Sequence, residues 1–185
     1  MVSIQKFDDM LHSHAGILIA PDIVLTTADT SDYIEDLDEA SAAVHTHLLL
    51  DPQDESERFP IVRQETHPDF EINEFGFAQH NVRLLKLGGQ SSNAWIQLNF
   101  DPNEPKEGDT IKLLGWGSLA GGWWRLFWRQ YPFESELYEL ELKYISNEHC
   151  IDVSRPYYEA NLTENMLCTE LALEGYCIND EGKSK

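Results

Sequence analysis

Basic residues are scarce in this chain. Thirteen lysines and arginines stand against 33 aspartates and glutamates in 185 residues, a formal net charge of −20. An excess of that size repels phosphate backbones and anionic lipid headgroups, which excludes nucleic acid as the main partner. Long apolar runs are missing as well. The longest pure stretches, such as Ala15–Ala20, are strand-sized, against the ~20 residues that span a bilayer. A soluble chain without a membrane span is expected. Met1–Leu11 carries Lys6, Asp8 and Asp9 where an export signal needs an unbroken apolar core, so no such signal is read there. Cysteine is limited to Cys150, Cys168 and Cys177. They are too few for a disulfide scaffold and wrongly spaced for zinc, and they allow one bridge with one leftover thiol. No internal repeat or low-complexity segment stands out.

What is present is a globular composition. At 42% hydrophobic and 11% aromatic residues, the chain can build one domain with a core, or two small halves sharing an interface. Ala15–Ala20 and Ile23–Thr27 flank Pro21 and Asp22 and read as two strands joined by a tight turn. Val44–Leu50, Ile61–Gln64, Val82–Leu87 and Ile111–Leu114 are further short β-rich segments. In Leu137–Ile145, Tyr138, Leu140, Leu142 and Tyr144 alternate with Glu139, Glu141 and Lys143, giving one buried face and one wet face. This spacing predicts an all-β sandwich or barrel. Pro102, Pro105, Gly108 and four acids between Asp101 and Asp109 form a polar connector between residues 1–100 and 110–185. Asp32–Ala43 is compatible with an acidic helix carrying Tyr33, Leu37 and Ala40 on one side, its other side solvated.

Three local features invite a chemical reading. His45 and His47, two apart on the expected strand, face the same way as a metal pair would. Without a third ligand nearby they are read as surface histidines. Trp123, Trp124, Phe127, Trp128, Tyr131 and Phe133, with Arg125 and Arg129, collect the residue types that protein interfaces prefer. They serve either as a binding patch or as local core. Asn161-Leu162-Thr163 is an acceptor triplet for N-glycosylation if the chain is exported.

Six motifs in order point to a family. Gly16–Thr30, with its ending Ala28-Asp29-Thr30, resembles the strand-turn-strand of the trypsin-like serine proteases that ends in Ala-His-Cys. His67-Pro-Asp-Phe70 resembles His-Pro-x-Tyr, and Asn81-Val-Arg-Leu-Leu-Lys-Leu87 resembles Asp-Ile-Ala-Leu-Leu-Lys-Leu. Gly115-Trp-Gly117 resembles Gly-Trp-Gly, Ser146-Asn-Glu-His-Cys150 resembles Ser-Asn-x-x-Cys, and Asn165-Met-Leu-Cys168 resembles Asn-Met-Ile-Cys. Cys177-Ile-Asn-Asp-Glu-Gly182 stands where the family carries Cys-Gln-Gly-Asp-Ser-Gly. The resemblance runs from about His12 to Gly182. It implies a single trypsin-like domain of two six-stranded Greek-key β-barrels with the active site between them, the second barrel incomplete here.

Acyl transfer in that family needs a nucleophilic serine, a histidine that shuttles its proton, and a buried carboxylate that orients the histidine. The resemblance places Asp29, Asn81 and Glu181 at those positions. A carboxylate at 181 has no hydroxyl to activate, and Asp29 is too short to bridge the other two. Asn179 replaces the oxyanion glycine, Gly175 replaces the acid that selects basic substrates, and Asp180 keeps the acid that pairs with an activated amino terminus. His14 and Thr30 replace both halves of one family disulfide, whereas Cys150 and Cys168 keep both halves of another. Asp51, Asp54, Glu55 and Glu57 fall at the family's calcium loop and are read as solvated acids.

The expectation is a pseudoprotease that acts, if at all, by binding protein, without cofactor or metal. By family resemblance it is extracellular. Two alternatives remain. One is an active endopeptidase with its site elsewhere or completed in a longer form, although the nearby Ser184 lacks the glycine loop. The other is a truncated product without function. An Asp29–Glu181 carboxylate pair acting as an acid is a minor further reading.

Overall fold

The computed structural model describes residues 1–6, 12–29, 37, 40–49, 55–74, 76–116, 136–154, 162–163 and 166–171. Its first half is a closed barrel of six strands: β1 (Val2–Lys6), β2 (His12–Ala20), β3 (Ile23–Thr26), β4 (Ala40–Val44), β5 (Glu57–Thr66) and β8 (Arg83–Leu87), neighbours in the order β1-β2-β3-β8-β5-β4. A short hairpin, β6 (Glu71–Ile72) with β7 (Ala78–Gln79), stands outside it. The second half holds a three-stranded antiparallel sheet of β9 (Thr110–Gly115), β10 (Tyr138–Ile145) and β11 (Cys168–Leu171), with β10 central, and one helix, α1 (Asn147–Ser154). No helix among the described residues is long and apolar enough to cross a membrane.

The barrel closes because β1 pairs with both β2 and β4, setting Val2 opposite Gly16 on one side and Val44 on the other. Alternate residues then meet inside, where Val2, Ile4, Leu18, Val24, Ala40, Ala42, Val44, Ile61, Leu85 and Leu87 form the core. Each fully buried Val, Leu or Ile contributes about 1.5–3 kcal/mol. Gly16 lets β2 approach that core, since a Cβ there would lie 2.6 Å from Val24 Cγ1.

Two local expectations are corrected. The strand expected at Val44–Leu50 instead runs Ala40–Val44, and its first four residues are also the end of the expected helix Asp32–Ala43. Alanine's high helix propensity suggests a helix. Pairing with β1 and β5 overrides it, because Ala40, Ala42 and Val44 are needed inside the barrel. His45 then takes a left-handed backbone, φ 67°, which ends the strand, so His45 and His47 do not share a strand face. β3, β8, β9 and β10 lie within one residue of the expected bounds, whereas β2 starts three residues early at His12 and β5 extends to ten residues through Pro60, at the point where its pairing passes from β4 to β8. β1, β11 and α1 carried no sequence expectation. Ser146 caps α1 by accepting the His149 amide hydrogen bond at 3.3 Å.

Trp116 fastens the two halves. It is fully buried, its Nε1–H donates to the His47 carbonyl at 3.2 Å, and its ring lies 5.0 Å from that of His12. Cys150 and Cys168 are joined as a disulfide that ties α1 to β11.

Candidate functional site

The site forms where the turn after β3 meets the segment leading into β8. Asn81 Oδ1 accepts hydrogen bonds from the backbone amides of Ala28 at 2.6 Å and Asp29 at 2.9 Å. One oxygen taking two successive N–H groups fixes the turn and leaves the NH2 as the remaining hydrogen-bonding group of the Asn81 amide. From the other side, the buried Arg83 donates through Nη2 to the Ala28 carbonyl at 2.8 Å and through Nε to Thr66 Oγ1 at 3.0 Å. Burial lowers the Arg83 pKa, and the Asp29 charge acts in the opposite direction. Asp29 Oδ1 is itself buried without a hydrogen-bond partner.

Beside this turn, His67 and His80 stack face to face, with centroids 4.9 Å apart and planes 12° from parallel. His80 holds a left-handed backbone, φ 50°, and its carbonyl accepts from the Val82 amide at 2.7 Å. His67 is anchored by its own amide donating to the Val82 carbonyl at 3.0 Å, and its Nδ1 accepts from the Asp69 amide at 3.2 Å. Two cavities abut here. One of about 400 Å3 lies between β2, β3 and β9, with Ile17, Leu25 and Leu114 in its wall, and one of about 550 Å3 lies against the histidine pair. Asn81 and Val82 line both.

Of the three residues that the motifs bring to one site, the structure places Asp29 and Asn81 together, and Glu181 lies outside the described residues. Thr30, Gly175, Cys177, Asn179, Asp180, Asn161 and the aromatic group Trp123, Trp124, Phe127, Trp128, Tyr131 and Phe133 also lie outside them. His14 is buried in β2, its Nδ1 sharing a 2.6 Å hydrogen bond with Ser13. Among the described residues no group of three or more His, Cys, Asp or Glu is arranged to hold a metal. His47 lies 3.7 Å from Glu136. Of the acidic loop, Asp51 and Asp54 are outside the description, and Glu57 is engaged elsewhere. It accepts from the Ser91 hydroxyl, from Ser92 N at 3.1 Å and Oγ at 2.6 Å, and from Asn93 Nδ2 at 3.0 Å. These donors, Ser91 first, hold its carboxyl at about 2.

One hydroxyl–imidazole pair has the right chemistry for nucleophilic catalysis in the wrong place. Ser3 Oγ lies 2.8 Å from His12 Nδ1, but both are buried, His12 against Trp116, and neither lines these two cavities. Burial, then the charge of His14, pushes His12 down to about 4, too acidic to serve as a base near neutrality. The residues that sequence reading missed are Arg83, His67 and His80. For Arg83 the signal was present, an arginine at the third position of a motif that carries alanine in the family.

Comparison with known proteins agrees with this architecture. The Trypsin family profile matches residues 1–182. Glandular kallikrein of Sus scrofa is 24% identical over 179 residues, covering 90% of this chain and 67% of the kallikrein. Among solved structures, neuropsin, a serine protease expressed in the limbic system of mouse brain, superposes with a TM-score of 0.69 at 19% identity, covering 98% of this chain and 77% of that one. With the family profile spanning nearly its whole length, a closed six-stranded barrel and a second antiparallel sheet in the same order, this chain belongs to the trypsin family of chymotrypsin-fold serine proteases.

Proposed function

We propose that this chain is a non-catalytic member of its family that acts by binding a polypeptide partner in the cleft between its halves. Asp29, Asn81 and Glu181 occupy the positions of the catalytic histidine, aspartate and serine. The observation that carries the reading is the bond from the Asp29 amide to Asn81 Oδ1. It sets the two positions side by side, but with a carboxylate and an amide where the chemistry needs an imidazole and a carboxylate. The Asn81 amide carries no charge to orient or stabilise a protonated base, and the short Asp29 carboxylate cannot bridge the nucleophile and orienting positions as an imidazole does. Loss of a full triad removes roughly 10⁶ in turnover, about 8 kcal/mol of transition-state stabilisation. The division at a connector of residues 101–109 and an extracellular location belong to the same proposal. The Cys150–Cys168 bridge suits an oxidising compartment.

A fluorophosphonate probe tests the reading directly, because it labels only activated serines. The expected result is no labelling of the unmodified protein and no turnover of peptide esters. Stoichiometric labelling with turnover overturns it.

A further inference from the structure

We infer that the cavity beside the histidine pair is a binding site for the C-terminal carboxylate of an extended, apolar peptide. This deepens the binding half of the proposed function by naming the chemistry of the partner.

The argument rests on which hydrogen-bonding groups are already committed. His67 Nδ1 accepts from the Asp69 amide, so in the neutral ring the proton sits on Nε2, which is a donor. Asn81 Oδ1 is taken by the Ala28 and Asp29 amides, so the group Asn81 offers is its NH2. The polar wall of the cavity is therefore donor-rich, and it requires an acceptor. The opposite wall is apolar, formed by Leu162, Met166 and Leu167 from the second half. A few convergent polar groups against an apolar wall is the usual make-up of a ligand site, and about 550 Å3 is within the ordinary ~300–1,000 Å3 range. A carboxylate offers two oxygens to these donors, and charged acceptors form roughly twice the hydrogen-bond strength of neutral ones.

The His80 backbone adds to this. A non-glycine residue held at φ 50° costs free energy and persists where the surroundings enforce it, commonly at binding sites. Here it turns the imidazole onto His67 at the rim of the cavity. The choice of a peptide over a free lipid acid comes from the neighbouring cavity of about 400 Å3, which is mainly apolar and shares Asn81 and Val82. A chain whose end lies against the histidines can run across Val82 and place earlier apolar side chains there. The formal charge of −20 opposes an anion at long range. Physiological salt screens such charges beyond about 8 Å, so the donors in contact decide.

The test is calorimetric titration of the whole protein with acetyl-Leu-Val-Leu bearing a free C-terminus, with its C-terminal amide and octanoate in parallel, while the ring resonances of His67 and His80 are followed by NMR. The free acid is expected to bind saturably and shift both histidines, with the amide about tenfold weaker or worse. His67→Phe, which keeps a stacking ring and removes the donor, is expected to weaken the acid at least about fivefold without changing the amide. If that variant does not fold, Leu167→Asp, at a side chain already 55% exposed, is expected to weaken both. Equal binding of acid and amide, no saturable binding, or indifference to these substitutions overturns the proposal. Binding of octanoate in place of the peptide overturns the peptide assignment. A negative result here leaves the fluorophosphonate test of catalysis untouched.

Discussion

Mild acid should destabilise this protein through a single buried histidine. His12 is 7% exposed on β2, its Nδ1 bonded to Ser3 and its ring against Trp116, at the seam between the halves. Its folded pKa is lowered from 6.5 to about 4, mainly by burial and then by the neighbouring charge of His14. The unfolded chain binds a proton at this site as pH falls through 6.5, and the folded chain does so only near 4. Stability contributed by neutral His12 is therefore complete above 6.5, declines as pH falls between 6.5 and 4, and loses nothing further below that. One proton corresponds to a slope of at most about 1.4 kcal/mol per pH unit, and the whole window to roughly 3 kcal/mol. That is a large share of the roughly 5–15 kcal/mol that ordinarily holds a domain folded. Urea unfolding at several pH values across the window, with wild type and His12→Asn, measures it. The variant should start less stable and show a flatter dependence. If the two proteins lose stability in parallel as pH falls, His12 is not the group that titrates and the reasoning fails.

Further outcomes follow from other contacts. Glu57→Gln should loosen the Ser91–Asn93 turn, read as faster exchange of the Ser92 amide. In the wild type, the stability from the ionised carboxyl should be present above 4.5 and lost as pH falls towards about 2. Gly16→Val should cost about 1–3 kcal/mol or prevent folding, because even a Cβ would meet Val24 at 2.6 Å; an unchanged melting temperature would contradict the barrel register. Asn81→Leu should cost about 1–3 kcal/mol by leaving the Ala28 and Asp29 amides without an acceptor, and Asn81→Asp should restore most of it, as read by thermal unfolding. Thiol counting on the oxidised, denatured protein should find one free cysteine, Cys177, and reducing the bridge between Cys150 and Cys168, 18 residues apart, should cost about 3 kcal/mol.

By itself the sequence determined the class of fold. Short apolar runs separated by turns can bury their faces only as paired strands, and this is why β2, β3, β8, β9 and β10 are legible in it. Motif order carried Asp29 and Asn81, some fifty positions apart, to one place, where the structure also sets them. Local pattern misread Ala40–Val44 because alanine favours a helix whenever nothing else intervenes, and only pairing on both edges makes it a strand. β1 was invisible for a related reason. Val2, Ser3, Ile4 and Gln5 are all buried, Val2 and Ile4 inside the barrel and Ser3 and Gln5 in a polar contact on the other face, so no alternation marks the strand. The stacking of the histidine pair, the cavity beside it and the partner that Arg83 grips were decided by tertiary structure. Each depends on which hydrogen-bonding groups the fold has already used, and that accounting exists only once distant segments are in contact.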